Sequence, residues 1–407
     1  MKFNKWTVGL AAVGLVSLTS AARADEKPSA VQTALSNTTI SGDVSASANV
    51  GLTQNYANSP AAGINFQNSK VNGFSLDVVK LSIAKPEDES PWASGYQVDL
   101  LFGPDAVGYN TSVNSGSTAD FGIKQAFVTL RTPVGNGIDW KIGVFDSPLG
   151  YESFDGNPNY TRSYGYSIEP TELTGFEASY KVSDAISLTG GVADTSAAGI
   201  NNRDNNETPS HSQWHDAYFG DVVLTAPSSW GWLSGSSLTA GMLYGAAPAY
   251  TVNGGLHNGY MGGNQVNYYA GLTLNTPWKE LTTGLAFDYV RNLAGSGLAA
   301  GAGSQDLDEQ AYGLYATYKA TDKLSFNARG EYVEADGYTK DAYKGSLNLV
   351  EMTGTVEYDL WANVVSRVEV RWDQNLSGKH TDLTEGGLVA GGERESVGLY
   401  ANVVYKF

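Results

Sequence analysis

The chain has 407 residues, of which 42% are hydrophobic and only 16% charged, with 48 Gly, 24 Tyr, 9 Trp, no Cys and a net charge of −17. That mixture is too polar for a bundle of membrane helices and too poor in charge for an ordinary soluble surface, but it suits a barrel with lipid outside and water inside. The lack of cysteine excludes disulfides, thiolate-bound zinc, thiol nucleophiles and covalently attached haem.

Residues 1–24 read as a secretory signal, with Lys2 and Lys5 at the start, an apolar run from Val8 to Leu18 and the small-residue site Ala22-Arg23-Ala24. The run is shorter than the ~20 residues that span a bilayer. Cleavage after Ala24 removes Lys2, Lys5 and Arg23 but no acid, which takes the net charge from −17 to −20. A polar leader, 25–37, then precedes a single domain, 38–407. No second apolar run of helical length follows, so the chain can cross a membrane only as a closed barrel.

The first strand alternates without interruption. Ile40, Gly42, Val44, Ala46, Ala48, Val50 and Leu52 fall on one face, and Ser41, Asp43, Ser45, Ser47 and Asn49 on the other. The next, Phe74 to Ile83, slips phase between Val78 and Val79, which predicts a bulge and turns Lys80 inward. Strands at Tyr96–Phe102 and Gln125–Arg131 lead through a compact turn, Pro133 to Gly137, into the fifth at Ile138. Further alternating segments follow around Phe176–Val182, Ile186–Val192, Tyr218–Leu224, Leu238–Tyr244, Val266–Leu274, Leu281–Tyr289, Tyr312–Tyr318, Leu324–Tyr332, Val350–Tyr358 and Val368–Trp372. The chain ends on Val397, Leu399, Ala401, Val403, Tyr405 and Phe407. The expected fold is an all-β, antiparallel up-and-down transmembrane barrel of about sixteen strands, with short periplasmic turns and long external loops. Tyr268, Tyr289, Tyr312, Tyr318, Tyr332, Tyr358, Trp372 and Tyr405 fall on the lipid face as an aromatic girdle.

After the fifth strand comes a long loop, about 145–173. Its borders carry Lys141-Ile142-Gly143-Val144-Phe145-Asp146-Ser147-Pro148-Leu149-Gly150-Tyr151-Glu152 and then Asn159-Tyr160-Thr161-Arg162-Ser163-Tyr164. These runs, set in this architecture, resemble the β-barrel porins of the OmpL-like family. The resemblance in architecture covers the mature chain from about Thr38. It implies passive diffusion of small hydrophilic solutes across the outer membrane of a Gram-negative bacterium, with the third loop folded into the lumen. The terminal Tyr405 and Phe407, in phase with a full strand, resemble the signal read by the barrel-assembly machinery.

In the loop, Asp146, Glu152, Asp155 and Glu169 stand to face Arg162 across the opening, as opposed charges do in related porins. Alternatively Arg162 pins the loop by pairing with one of them, and the two roles are compatible. On the wall, Lys141, Glu177, Lys181, Arg329, Glu331, Arg367, Glu369 and Arg371 turn inward to line the pore and stay hydrated. The inward charges come out nearly balanced, which leaves the acidic excess to loops such as Asp306-Leu307-Asp308-Glu309 and Glu393-Arg394-Glu395. A modest cation preference is expected, screened within ~8 Å at physiological salt. The aromatic-free outer face of the first strand fits another subunit, as in a homotrimer, in place of lipid.

No enzyme signature emerges. The four histidines, His211, His215, His257 and His380, fall in predicted loops away from any nucleophile, and no metal site, cofactor or nucleic-acid partner is expected. The glycines of 295–303 miss the dinucleotide-binding spacing. Two other readings share the architecture: a substrate-selective outer-membrane channel, and a plugged barrel acting as a scaffold or adhesin.

Overall fold

The computed structural model describes residues 38–53, 72–109, 121–196, 200–201, 216–246, 263–294, 307–336, 347–377, 381–384, 387–390 and 395–407. The signal, the leader and the four histidines lie outside the described residues. The strands are β1 (Thr39–Gly51), β2 (Gly73–Lys85), β3 (Ser94–Phe102), β4 (Phe121–Thr132), β5 (Ile138–Asp146), β6 (Glu172–Ser183), β7 (Ile186–Ala193), β8 (Ala217–Thr225) and β9 (Ser237–Ala246). They continue with β10 (Gly263–Asn275), β11 (Leu281–Ala294), β12 (Leu307–Lys319), β13 (Leu324–Asp336), β14 (Leu347–Trp361), β15 (Val364–Asn375) and β18 (Glu395–Lys406). These sixteen, each antiparallel to its neighbours, close into one barrel. A separate hairpin, β16 (Thr381–Thr384) with β17 (Gly387–Ala390), sits between β15 and β18.

The period-2 pattern is inside out relative to a soluble protein. On β18, Leu399, Val403 and Tyr405 are exposed, whereas Ser396, Tyr400 and Asn402 are buried. Exposed Val44 on β1, Phe176 on β6, Leu314 on β12 and Met352 on β14 continue the same outer surface around the wall. An apolar surface of this extent belongs against lipid. Of the expected girdle, Tyr268, Tyr312, Tyr318, Tyr332, Tyr358 and Tyr405 are exposed on it.

Closure is made by the first and last barrel strands. Val44 pairs with Tyr405 and Asp43 with Lys406, and Gly42 and Phe407 exchange two backbone hydrogen bonds of 3.0 and 2.9 Å. The Phe407 ring lies over Gly42, where a Cβ would come within 2.7 Å of it. A register shift on β1 between Ser45 and Ala46 opposes the extra residue Asp77 on β2. The bulge therefore falls one residue earlier than the alternation suggests, and it turns both Asp77 and Lys80 inward, where they are buried.

One end of the barrel carries short turns, among them 133–137, 184–185, 276–280, 320–323 and 362–363. By the rule for outer-membrane barrels this is the periplasmic end. The described residues of two acidic runs expected in external loops lie in strands instead. Asp308 and Glu309 lie on β12, with Glu309 fully buried inside, and Glu395 opens β18, where it accepts from Trp372 Nε1 at 2.9 Å. The wall also gains inward charges that the sequence parse did not count, notably Lys124, Asp139, Glu172 and Asp373.

The buried apolar core lies within the barrel. Phe145, Leu149, Leu173, Phe219, Leu243 and Tyr269 form one cluster, and Tyr164, Ile168, Val290, Val333 and Leu349 form another. Each cluster packs residues of the β5–β6 connection against residues of the wall.

Candidate pore constriction

Residues 147–171 connect β5 to β6 and cross the barrel interior to reach β1, β2 and β11–β15. Where this irregular backbone is buried against the wall and away from the water of the lumen, its polar groups must find partners in the protein. Here the wall supplies charged partners of alternating kind. Glu369 accepts from the N–H groups of Tyr160 and Thr161 at 2.5 and 2.9 Å. Glu331 accepts from those of Tyr164 and Gly165 at 2.7 and 3.1 Å. Arg329 donates to the carbonyls of Thr161 and Arg162 at 2.8 and 3.2 Å, and Arg371 donates to the carbonyl of Arg162 as well. Carboxylates thus take the loop's donors and guanidiniums its acceptors. Charge-assisted bonds of this type are each worth about 1.5–3 kcal/mol.

Arg329 is the hub. Its side chain is 0% exposed and meets Glu152 at 2.8 Å and Glu351 at 3.1 Å. Glu152 also accepts from Asn157 Nδ2 at 2.9 Å and from Ser163 N at 3.1 Å, which ties the two limbs of the loop together. The limb after Arg162 forms a short helix, α1 (Tyr164–Ile168), capped by Ser163, whose hydroxyl accepts from Tyr166 N at 2.9 Å. Its first residue, Tyr164, is buried, stacks under the Arg371 guanidinium at 4.9 Å and donates to Asp373 at 2.8 Å. Just beyond α1, Glu169 accepts from Tyr151 N at 3.0 Å.

Apolar contacts fix the first limb. Tyr151 stacks on Tyr315, with ring centroids 4.3 Å apart, and its hydroxyl lies 3.3 Å from Thr273 Oγ1. It fits because inward positions on β10 and β11 are glycine. A Cβ on Gly284 would lie 1.7 Å from the Tyr151 hydroxyl, and one on Gly271 3.2 Å from its ring. Tyr160 reaches the opposite side and donates to Ser47 and Asp77, each at 2.9 Å.

The tip of the loop is different. Asp155 is 49% exposed and pairs with Lys80, which also lies 3.5 Å from Asp99. Lys124 pairs with Asp146 and sits 5.3 Å above the Phe154 ring. Arg162 donates to the carbonyls of Ser153 and Phe154 at 2.6 and 2.5 Å and stacks against Phe154 and Tyr166. Arg162 therefore holds the turn that presents Asp155. Three cations and the acids Asp155, Asp146 and Asp99 meet where the loop approaches β2–β4.

The sequence-derived wall residues divide into two sets. Arg329, Glu331, Glu369 and Arg371 are buried beneath the loop as its clamps. The others lie toward the periplasmic half: Lys141 bonds Glu177 at 2.9 Å beneath Phe127 and Phe145, Lys181 meets Asp184 at 2.7 Å, and Arg367 meets Glu357 at 2.9 Å. Tyr405 faces outward and Phe407 closes the seam. The reading of the sequence missed Lys124, because the β3–β4 register shifts at Asp99/Leu100 and breaks the alternation there. Among the described residues no cluster of three metal-ligating side chains occurs.

No curated protein matches the sequence. Among solved structures, OmpT of Vibrio cholerae, an outer membrane protein, superimposes with a TM-score of 0.58 at 12% identity over 93% of this chain and 100% of that one. The anion-selective porin from Comamonas acidovorans gives 0.58 at 13% identity over 91% and 99%. The outer membrane channel DcaP of Acinetobacter baumannii gives 0.58 at 11% identity over 93% and 100%. At such identities these likenesses establish the fold alone. The family described as "Putative beta-barrel porin-2, OmpL-like" matches residues 39–407, essentially the whole barrel, and the chain belongs to that family of outer-membrane channels.

Proposed function

We propose that this porin lets small hydrophilic solutes and ions diffuse passively across the outer membrane, with a modest preference for cations. The observation that carries the reading is the contrast along loop 147–171. The charges that hold it are paired and buried, whereas Asp155 at its tip is half exposed beside Lys80 and the turn held by Arg162. Solutes pass the tip on the side of β2–β4, and the constriction comprises Asp146, Asp155 and Arg162, with Glu152 and Glu169 setting the loop's position. Lys141, Glu177, Lys181 and Arg367 line the wider periplasmic half.

The mature net charge of −20 supports cation preference, which weakens as salt screens the charges over ~8 Å. The Comamonas porin of the same fold is named anion-selective, so local charges and not the fold set the sign. Export with cleavage after Ala24, delivery to the barrel-assembly machinery through Tyr405 and Phe407, and assembly as a homotrimer belong to the same proposal. The small outer face of β1, with Ala46 and Ala48, supports the last, and a Vibrio OmpT structure is of a trimer form. Reversal potentials in a salt gradient across a planar bilayer test the reading. Potentials of cation-selective sign are expected, and a clear anion preference contradicts it.

A further inference from the structure

Asp77 and Glu369 show how the interior of this barrel fills a buried carboxylate. The first accepts from Ser45, Ser47, Tyr160 and Asn402, and the second from Tyr160 N, Thr161 N and Thr355. Glu177 on β6 and Asp221 on β8 depart from that pattern. They are 2% and 8% exposed, yet Glu177 Oε2 and Asp221 Oδ1 accept no hydrogen bond. A buried carboxylate oxygen left open is costly, so each marks a place that a donor or a cation would stabilise.

Both acids point into the barrel, with only β7 between their strands. Glu177 pairs with Gly191 of β7, and Asp221 pairs with Thr189 of the same strand and with Gly241 of β9. Because Gly191 and Gly241 carry no side chain, an apolar roof comes down close on the pair. A Cβ on Gly191 would lie 2.4 Å from the Phe219 ring, and one on Gly241 2.4 Å from Leu149 Cδ2. Both roof residues belong to the cluster that anchors the loop's first limb. Toward the periplasm the neighbours are hydroxyls, with Ser179 Oγ and Thr189 Oγ1 3.4 Å apart.

One cation is already present. Lys141 bonds Glu177 Oε1 at 2.9 Å, with its ammonium 5.7 and 5.9 Å from the Phe127 and Phe145 ring centroids. Lys181, the next cation along β6, is taken by Asp184. One ammonium against two carboxylates leaves a negative charge over, beneath a roof that keeps water off it. Two carboxylates fall short of the oxygen shell that calcium or magnesium needs. The tethered ammonium of Lys141 shows what the niche takes: N–H donors to carboxylate oxygens, close to aromatic faces.

We propose that Glu177 and Asp221 form a subsite for the primary ammonium group of a permeating solute, just past the loop on the periplasmic side, and that Lys141 yields to admit it. The N–H groups of a primary ammonium suit Glu177 Oε2, Asp221 Oδ1 and a hydroxyl of the Ser179–Thr189 pair. Lys141, with 25% of its side chain exposed, is the member of the group that the lumen reaches, so it is the one that moves aside. The inference rests on the porin reading and names a solute class for it.

The test records single channels of the mature chain in dilute KCl, with methylammonium or tetramethylammonium chloride added on both sides of the bilayer. The two cations carry the same charge, but only methylammonium has N–H donors. Methylammonium is expected to lower the potassium current with saturation, and tetramethylammonium at equal concentration to show no saturable effect. Asp221→Asn and Glu177→Gln keep the shapes of the acids, and each should raise the half-saturating concentration about tenfold, as loss of one charge-assisted bond does. Equal effects of the two cations on the wild-type channel, or half-saturation unchanged in both variants, would overturn the inference, and the first comparison needs no variant to fold. If reversal potentials in KCl are cation-selective while methylammonium has no saturable effect, the subsite alone fails. Anion-selective potentials contradict the broader reading as well.

Discussion

Replacing Arg329 with Met isolates the loop clamp from the barrel wall. The strand pairing of β13 with β12 and β14 is backbone and survives, but Glu152 and Glu351 lose the guanidinium held at 2.8 and 3.1 Å, and the carbonyls of Thr161 and Arg162 lose a donor. Removing one partner of a buried ion pair costs about 3–5 kcal/mol. The cost falls on the state in which the loop is docked, because undocking rehydrates the stranded carboxylates. At about 1.4 kcal/mol per tenfold, the undocked population rises roughly a hundredfold to several thousandfold over wild type. Single-channel recordings in planar bilayers read this directly, as open-channel noise and a larger conductance level. Neutralising the stranded acids as well, in Arg329→Met/Glu152→Gln/Glu351→Gln, should restore most of the quiet wild-type trace, since a buried ionic network and its neutral replacement often differ little. If Arg329→Met gave an unchanged trace and unchanged protease resistance of the loop, the clamp would have no energetic role.

Three other outcomes are expected. Gly284→Ala places a Cβ 1.7 Å from the Tyr151 hydroxyl, so the loop's first limb should lift, at a cost of about 1–3 kcal/mol for overpacking. Conductance should change, and Tyr151→Leu in the same chain should reverse the change. Asp155→Asn removes the exposed one of the two acids beside Lys80 and leaves only buried Asp99, so reversal potentials should move toward anions; no movement would take Asp155 off the permeation path. Glu87, in the periplasmic turn after β2, is pushed up to about 7 by burial first and then by a hydrogen bond with Asp139. The folded state therefore holds this proton more tightly than the unfolded chain, and the associated stability, full below the unfolded pKa, is lost as pH rises through about 7. Melting curves of Glu87→Gln should show a weaker fall in stability across that window, and an identical pH profile would count against the assignment.

The wall was legible in the sequence because each strand repeats one local rule, apolar out and polar in, and the rule needs no knowledge of neighbours. It failed where the backbone leaves that period. The β4 register shift hid Lys124, and the hairpin β16–β17 and helix α1 are too short to carry a periodic signal. The acidic segment at Asp308 and Glu309 looked like a loop because a fully buried inward glutamate resembles a solvated one in sequence. The site was legible in composition but not in pairing. Arg329, Glu331, Glu369 and Arg371 could be placed on the inner face, yet nothing local says that their partners are backbone groups more than 160 residues earlier in the chain. The glycines that admit Tyr151 likewise belong to strands far from it and read as ordinary small residues.

Solute flux through the unmodified mature chain bears most directly on the central claim, that a docked loop leaves a wet passage at its tip. Proteoliposomes containing folded, heat-modifiable barrel should swell in small sugars at rates that fall with sugar size. Vesicles that stay unswollen with every sugar, while the barrel is demonstrably folded, would mean that loop 147–171 stoppers the bore.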